Sequence, residues 1–251
     1  MTIITRRLAI LLLIVSIAGP FAAPAQAQEE SYGYLWQLEF DFAHDFNGLL
    51  TIHVGPWENG DLVEVDATSQ ERVACKRVGP VYLDSGDAVF NGGYLRCTMD
   101  LARIVANNHG LDIAPVDSYG SILMQSRLIA NQTDVMPIFS HPDADYTIDF
   151  ALTSAVTPAQ TLWNGAGLLQ HTFPGVVGMT WQTYTYEYRC AWLGACDAEF
   201  EVGPHSETKP TLGDRVQFHT GPQTFYIGYD GANTFSGRMD RVLIDPGNSV
   251  H

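Results

Sequence analysis

The sequence predicts an all-β fold, an antiparallel β-sandwich of the jelly-roll type with little helix. Two observations lead to this prediction. Most periodic segments alternate apolar and polar residues, and turns rich in Gly, Pro, Asn or Asp separate them. In addition, only one segment has the spacing of an amphipathic helix. Many short strands with such turns and almost no helix are typical of sandwiches and jelly rolls.

The first predicted strand is Leu35–Phe42, in which apolar and polar residues alternate as in a half-buried strand. The helix candidate is Met99–Asn108, with Leu101, Ile104 and Val105 on one face. The same reasoning predicts further strands at Leu49–Val54, Leu62–Ala67, Glu71–Val78, Asp87–Cys97, Ser121–Ile129, Tyr146–Leu152, Val177–Arg189, Arg215–Thr220, Thr224–Tyr229 and Arg238–Ile244.

The first 27 residues have the pattern of a cleavable signal peptide. Two arginines, Arg6 and Arg7, precede the apolar run Leu8–Gly19, and Ala25 and Ala27 supply the small residues of a cleavage site. The apolar run is shorter than the roughly 20 residues that a membrane-spanning helix needs. We therefore expect a secreted or periplasmic protein with no membrane span in the mature chain.

Residues 28–251 are expected to fold as one sandwich domain, since no repeat or linker interrupts them. The chain carries a formal net charge of −15, and removal of the signal peptide makes it more negative by two units. An acidic surface repels phosphate backbones, so nucleic acid is excluded as a partner. Its carboxylates suit hard cations such as calcium, although a solvated acidic surface is the simpler interpretation.

The four cysteines are even in number, and an exported chain favours disulfides over metal thiolates. Cys190 and Cys196 enclose a short apolar segment that resembles the tip of a hairpin, which leaves Cys75 to pair with Cys97. Four cysteines allow three pairings, and this one is the prediction.

The C-terminal region contains a specific pattern. The segment Phe225–Asp230 (FYIGYD) is followed by Phe235–Ile244 (FSGRMDRVLI). Together they resemble the closing strands of laminin-G-like domains, which belong to the concanavalin A-like lectin and glucanase superfamily. Gly228 and Gly237 fit bulge or turn positions. We expect the apolar residues of this segment to be buried in the core; they are Phe235, Met239, Val242 and Ile244.

Two upstream segments resemble the same family in the expected order. Ala88–Leu95 is similar to an early strand of these domains, and Tyr146–Leu152, followed by Thr161–Trp163, is similar to a later one. The resemblance covers about residues 85–246 and implies a jelly roll. Residues 28–84 have no counterpart in it and are expected to add strands to the same sandwich.

The superfamily that this chain resembles includes glycoside hydrolases, so paired carboxylates are candidates for a catalytic site. A retaining hydrolase needs two carboxyl groups about 5–5.5 Å apart. Alternate residues of one strand share a face, and no third acid follows in register. The polar outer face of a strand is the simpler interpretation, and no catalytic residue is assigned. The candidate pairs are Glu39/Asp41, Glu64/Asp66 and Glu199/Glu201.

Three aspartates form the candidate calcium site. Asp143 and Asp145, with Asp149 nearby, bring oxygen ligands close together, and laminin-G-like domains often bind calcium at the rim of the sandwich. Calcium needs six to eight oxygens, so this cluster alone is insufficient. An ordinary Asx turn is the simpler interpretation.

A run of aromatic residues forms the candidate ligand site. Tyr184, Tyr186 and Tyr188 share one face of a predicted strand, and Trp192 follows, so their rings could stack on sugars. Aromatic residues also form strands and fill cores, which is the alternative interpretation.

These observations favour a secreted module that binds extracellular carbohydrate or a surface protein without catalysis. Two other classes stay open. A carbohydrate-active hydrolase or lyase would need convergent carboxylates in a cleft. A structural subunit of an extracellular assembly would use sheet edges instead of a pocket.

Overall fold

The computed structural model describes residues 32–58, 61–62, 67–110, 121–131, 135–141, 148–152, 159–164, 167–172, 180–190, 196–211 and 221–246. All of them belong to the unit Ser31–His251. The predicted signal peptide and the predicted strand Arg215–Thr220 lie outside the described residues. Within these residues, no helix is long and apolar enough to cross a membrane.

Two antiparallel sheets build the fold, which confirms the predicted all-β sandwich. The strands are β1 (Tyr32–Asp41), β2 (Gly48–Glu58), β3 (Asp61–Leu62), β4 (Ala67–Val73), β5 (Cys75–Val78), β6 (Val81–Asp84), β7 (Asp87–Asn91), β8 (Tyr94–Asp100), β9 (Ser121–Ala130), β10 (Met136–His141), β11 (Ile148–Leu152), β12 (Ala159–Asn164), β13 (Gly167–Thr172), β14 (Gln182–Cys190), β15 (Cys196–Val202), β16 (His205–Thr211), β17 (Pro222–Ile227) and β18 (Ser236–Asp245).

The first sheet has 11 strands, in the order β16-β15-β14-β9-β18-β1-β2-β3, with β4 paired to β2 and with β7 joining β6 to β18. The second sheet has seven strands, in the order β13-β12-β11-β10-β17-β8-β5. The predicted strand Glu71–Val78 is in fact two strands in different sheets, because β4 ends at Val73 and β5 begins at Cys75.

Aromatic side chains fill the space between the sheets. Phe40 of the first sheet contacts Phe225 of the second with ring centroids 6.1 Å apart, and Phe139 contacts Phe225 at 5.6 Å. Rings at such distances pack edge-to-face or tilted, which adds to the stabilisation from burial. This aromatic layer fixes the inner faces of the strands and so determines which residues face outward.

The C-terminal pattern is confirmed as core. Phe235, Met239, Val242 and Ile244 are all at most 1% exposed. Met239 and Val242 are three residues apart, which would place them on opposite faces of a regular strand. The register shifts between Met239 and Arg241, and this irregularity brings both side chains to the core.

Gly237 in β18 has a φ of +153°, and a Cβ there would lie 2.1 Å from the carbonyl oxygen of Ile129. Only glycine fits so close to a neighbouring backbone. At Gly228, φ is +80°, a left-handed conformation that favours glycine. Both positions therefore need glycine, as the sequence pattern predicts.

The predicted helix is confirmed as α1 (Leu101–His109), which continues directly from β8. Asp100 is its N-cap and accepts a hydrogen bond from the Arg103 backbone N–H at 3.1 Å. Leu101 and Val105 are buried, and Gly110 ends the helix in a left-handed conformation. This direct strand-to-helix junction shapes the site described next.

Candidate functional site

The predicted aromatic platform lies in the core. Tyr184, Tyr186 and Tyr188 are each 0% exposed, and the Tyr186 ring packs against Phe200 with centroids 5.2 Å apart. Burial raises the pKa of Tyr184 to about 12 and raises the pKa of Tyr186 as well. The rings cannot stack on a surface ligand, and core filling describes them instead. Trp192 lies outside the described residues.

The predicted calcium residues are only partly described. Asp143 and Asp145 lie outside the described residues. Asp149 is on β11, where the register places it opposite Ser140 and Trp163. Across the described ranges, no group of three or more His, Cys, Asp or Glu residues could hold a metal ion. The calcium site stays a prediction.

Three of the described acids in the candidate pairs have hydrogen-bond or ion-pair partners within the protein. Glu39 pairs with Arg241 at 2.7 Å, and Asp41 accepts a hydrogen bond from the Ala43 backbone. Glu199 accepts from the Ser206 hydroxyl at 2.7 Å. The pair Glu64/Asp66 lies outside the described residues. These contacts fit the polar outer face that is the simpler interpretation of the pattern.

One predicted disulfide is confirmed: Cys75 is bonded to Cys97, directly across from it in the register of β5 and β8. Cys196 is disulfide-bonded, and the backbone register places it opposite Cys190. This register supports the second predicted pairing, which stays a prediction.

A concave site among the described residues is a cleft of about 520 Å³ at the junction of β8 and α1. Its walls are the end of β4 with the following Ala74, the end of β8, the first turn of α1 and the start of β17. The cleft exists because the chain turns from strand into helix at Asp100, which leaves an opening beside β4. The lining residues are Glu71, Arg72, Val73, Ala74, Thr98, Met99, Asp100, Arg103, Ile104, Pro222, Gln223 and Thr224.

The charged groups of the cleft are two acids and two arginines, each held by a neighbour. Arg72 pairs with Asp45, and Arg103 lies 3.8 Å from the Asp100 carboxylate. The Glu71 carboxylate accepts a hydrogen bond of 2.9 Å from the Asn108 side-chain amide. The cleft thus offers both donors and acceptors but little net charge.

Two threonine hydroxyls add to this set. Thr98 of β8 and Thr224 of β17 face each other directly in the sheet register. They lie beside the apolar side chains of Ile104 and Pro222. Alternating hydroxyls and small apolar surfaces match the mixed character of a sugar ring, which has polar edges and apolar C–H faces.

Gln223 lies behind the cleft, on the core-facing side of β17, where it alternates with the outward residues Pro222 and Thr224. Its side chain is 7% exposed, and its Oε1 lies 2.5 Å from Nε2 of His141, itself 1% exposed. Its Nε2 is buried and has no hydrogen-bond partner among the described residues. Because this atom is buried, a ligand in the cleft does not reach it, and Gln223 supports the cleft from the core side.

Sequence reasoning missed this site because its residues come from three separate segments, 71–74, 98–104 and 222–224. Glu71 and Asp100 are 29 positions apart, and Gln223 follows more than a hundred residues later. The available signal was the Asp100 N-cap, which marks the strand-to-helix junction.

Comparisons with known proteins give only distant structural likenesses. No protein-family model matches the chain, and no curated protein matches it. The binding domain of botulinum neurotoxin serotype D/C is similar at 14% identity with a TM-score of 0.46, over 70% of this chain. Domain 4 of the GH43 extracellular arabinanase AbnA from Geobacillus stearothermophilus, in complex with arabinotriose, is similar at 17% identity, with a TM-score of 0.48, over 70% of this chain and 85% of that one.

A third similar structure is the binding domain of botulinum neurotoxin DC in complex with rat synaptotagmin II, at 12% identity with a TM-score of 0.47. The match covers 69% of this chain. This chain covers 44% and 43% of the lengths of the two toxin structures, so it corresponds to less than half of each.

Proposed function

We propose that the protein is an exported binding module that holds an extracellular carbohydrate in the cleft between β4, β8, α1 and β17 and does not catalyse a reaction on it. The observation that carries the proposal is the pair of hydroxyl side chains, Thr98 and Thr224, which face outward and lie opposite each other in this cleft. Each hydroxyl can donate and accept hydrogen bonds with the hydroxyls of a sugar.

The size of the cleft favours a small ring-shaped ligand over a protein surface. Ligand pockets commonly measure about 300–1,000 Å³, whereas stable protein interfaces are broader and flatter. The cleft volume of about 520 Å³ falls in the first range. Hydroxyl, amide, carboxylate and guanidinium groups on its walls can each exchange hydrogen bonds with sugar hydroxyls.

Export is supported by the cysteines. The disulfide between Cys75 and Cys97 is of the kind that persists in oxidising compartments. Together with the predicted signal peptide, it favours action outside the cytoplasm.

The hydrolase alternative has one candidate pair in this cleft, Glu71 and Asp100. Each acid already has a local role, since Glu71 bonds Asn108 and Asp100 caps the helix. These roles favour positioning over proton transfer, and the test below includes turnover as an outcome.

The proposal is tested by titrating the purified protein with neutral and acidic oligosaccharides in a calorimeter. The variant is Thr98→Val/Thr224→Val, which keeps strand-forming side chains. We expect it to lower affinity tenfold or more, since two lost hydrogen bonds to the ligand contribute about 2 kcal/mol together and 1.4 kcal/mol is tenfold.

Thr208→Val on the exposed part of β16 is the matched control and should bind as the original protein does. Unchanged affinity in Thr98→Val/Thr224→Val would reject the cleft as the site. Release of reducing ends that disappears in Asp100→Asn or Glu71→Gln would replace the binding module with a hydrolase.

A further inference from the structure

The outer face of the second sheet carries an aromatic cluster next to the cleft. Tyr94 stacks on Tyr229 with ring centroids 4.3 Å apart and planes 13° apart. Tyr226 meets Tyr94 at 5.8 Å and Tyr229 at 5.5 Å, in both cases edge-on. All three side chains are half-buried, unlike the fully buried tyrosines of β14. Their rings are thus held in place by one another and still reach solvent.

The cleft and the cluster lie on the same face of the same strands. Along β8 the outward residues are Tyr94, Arg96, Thr98 and Asp100, alternating with the buried residues. Thr98 and Asp100 line the cleft, whereas Tyr94 belongs to the cluster. Six residues of strand separate Asp100 from Tyr94, a distance of about 20 Å. The face is therefore long enough for an oligosaccharide of several rings.

The width of this face is also limited. It extends over β5, β8 and β17, which are neighbours in the sheet and span about 10 Å at the usual strand spacing. Beyond β17 the register leads from Tyr226 to Ser140, which is 0% exposed. The accessible strip thus ends there. Its narrow, elongated outline fits a linear chain rather than a globular surface.

Two cations lie opposite each other on this strip, an arrangement that lowers the stability of the sheet. Lys76 of β5 and Arg96 of β8 are direct cross-strand partners, and Arg96 in turn faces Tyr226. Like charges directly opposite each other destabilise a sheet. Both side chains are exposed, and neither has an ion pair or hydrogen bond with another residue in the part of the chain that the structure describes.

The first sheet also contains a like-charged cross-strand pair, but there a counterion lies beside it. Glu187 and Glu199 are also like-charged cross-strand partners, on β14 and β15. There Arg189 lies between them, bonding Glu187 and approaching Glu199 within 3.8 Å. The pair of acids thus has its counterion within the protein. The pair of cations on the second sheet has no such counterion among the described residues, although the chain as a whole carries a net charge of −15.

The composition of the strip sharpens this contrast. Strands β5, β8 and β17 carry the outward cations Lys76 and Arg96 but a single acid, Asp100, which caps the helix. Arg77 alternates with Lys76 and so lies on the other face, where it donates to the Val81 carbonyl. At physiological ionic strength, charges interact over about 8 Å, so a ligand on the strip meets mainly these local cations. An anionic group on the ligand would supply the missing counterion.

We infer that this strip, the aromatic–cationic strip of Lys76, Arg96, Tyr94, Tyr226 and Tyr229, extends the cleft into a site for an acidic oligosaccharide. Its carboxylate or sulfate groups pair with Lys76 and Arg96, and its ring faces stack on the tyrosines. The inference rests on the proposed carbohydrate-binding function and adds the class of carbohydrate. The disulfide between Cys75 and Cys97 ties β5 to β8, so Lys76 is held beside Arg96.

The test uses two matched ligands: a hexamer of α-1,4-linked galacturonic acid and the same hexamer after reduction of its carboxyl groups. Titrations are done with a chelator present, so that metal ions cannot bridge ligand and protein. We expect the acidic hexamer to bind at least tenfold more tightly, with an affinity that falls as salt is added. The neutral hexamer should show little dependence on salt.

The key variant is Lys76→Gln/Arg96→Gln. It should lose about tenfold or more in affinity for the acidic hexamer and keep its affinity for the neutral one. Its thermal stability should be unchanged or slightly higher, because the repulsion across the strands is removed. The matched control, Arg127→Gln/Arg189→Gln, removes two charges from the other sheet and should leave the preference for the acidic hexamer intact. A second variant, Tyr226→Ser, should lower the affinity for both hexamers.

The outcomes separate the two proposals. Equal affinity for both hexamers, with no effect of Lys76→Gln/Arg96→Gln, overturns the inference that the ligand is acidic, while Thr98→Val/Thr224→Val still tests the binding function. If Lys76→Gln/Arg96→Gln lowers the affinity for the acidic hexamer and Thr98→Val/Thr224→Val does not, the strip is supported as the binding site and the cleft is rejected. If neither hexamer binds, this inference is overturned, and the wider oligosaccharide panel then decides the binding function.

Discussion

Two groups of three tyrosines show how differently one residue type is used in this protein. Tyr184, Tyr186 and Tyr188 alternate along β14 of the first sheet and are each 0% exposed. The cluster of Tyr94, Tyr226 and Tyr229 comes from β8, β17 and the turn after it, and is half-exposed. The first group fills the core, whereas the second is available to a ligand.

The difference shows what can be predicted from residues that alternate along a strand: that they share a face, but not whether that face is buried. Alternation correctly places Tyr184, Tyr186 and Tyr188 on one face of a strand. It does not say whether that face points to the core or to solvent, since aromatic residues are favoured on both. The surface cluster has no such pattern, because its members come from strands that meet only in the folded sheet.

The largest expected effect follows from removing a ring of the buried group. Tyr186→Ala should lower the free energy of unfolding by about 3–5 kcal/mol, as for other large aromatic residues cut back in a core. Tyr226→Ala is the matched control on the surface, and it should cost much less because its ring is only half-buried. Denaturant unfolding monitored by circular dichroism measures both. Similar losses in the two variants would contradict the division into core and surface groups.

The disulfide of the second sheet should have the next largest effect. Cys75→Ser/Cys97→Ser opens a loop with a sequence separation of 22 residues. In the loop-entropy model, this lowers the free energy of unfolding by about 3 kcal/mol. Thermal unfolding of the double variant beside the oxidised protein is the measurement. An unchanged melting temperature would show that β5 does not depend on its link to β8.

Alkaline pH should lower the stability of the fold through the buried tyrosine hydroxyls, by less than the two substitutions above. Burial raises the pKa of Tyr184 to about 12, whereas the unfolded chain has an ordinary tyrosine pKa near 10. The unfolded state therefore loses its proton first as pH rises above 10. Stability is fully present below pH 10 and falls by on the order of 1–3 kcal/mol between pH 10 and 12.

Tyr184→Phe provides the comparison for this titration. The Tyr184 hydroxyl has no partner among the described residues, so its removal should leave stability at neutral pH unchanged or improve it. The variant should also lose less stability between pH 10 and 12. If the variant and the original protein lose stability equally over this range, the hydroxyl of Tyr184 is not responsible.

Much of the fold could be predicted from local pattern. Segments with clear alternation, such as Leu35–Phe42, and the capped helix α1 are found where they were expected. Strand β10 (Met136–His141) was not predicted, because all six of its residues are buried and no alternation marks it. The change of sheet at Ala74 has no local signature either, so β4 and β5 were merged.

The candidate site was less predictable than the fold. Its cations, Lys76 and Arg96, are 20 positions apart and become neighbours only through the register of β5 and β8. Thr98 and Thr224, 126 positions apart, become neighbours only through the register of β8 and β17. Such contacts depend on long-range pairing, which a single sequence does not encode at short range.

The central claim is that the outer face of the second sheet holds the ligand, and nitration of tyrosines with tetranitromethane tests it most directly. Peptide mass spectrometry would compare nitration with and without the acidic hexamer. We expect the hexamer to protect Tyr94, Tyr226 and Tyr229, while Tyr82, 50% exposed on the first sheet, reacts equally in both samples. Nitration of Tyr226 that the bound hexamer leaves unchanged, or protection of Tyr82 instead, would contradict the claim.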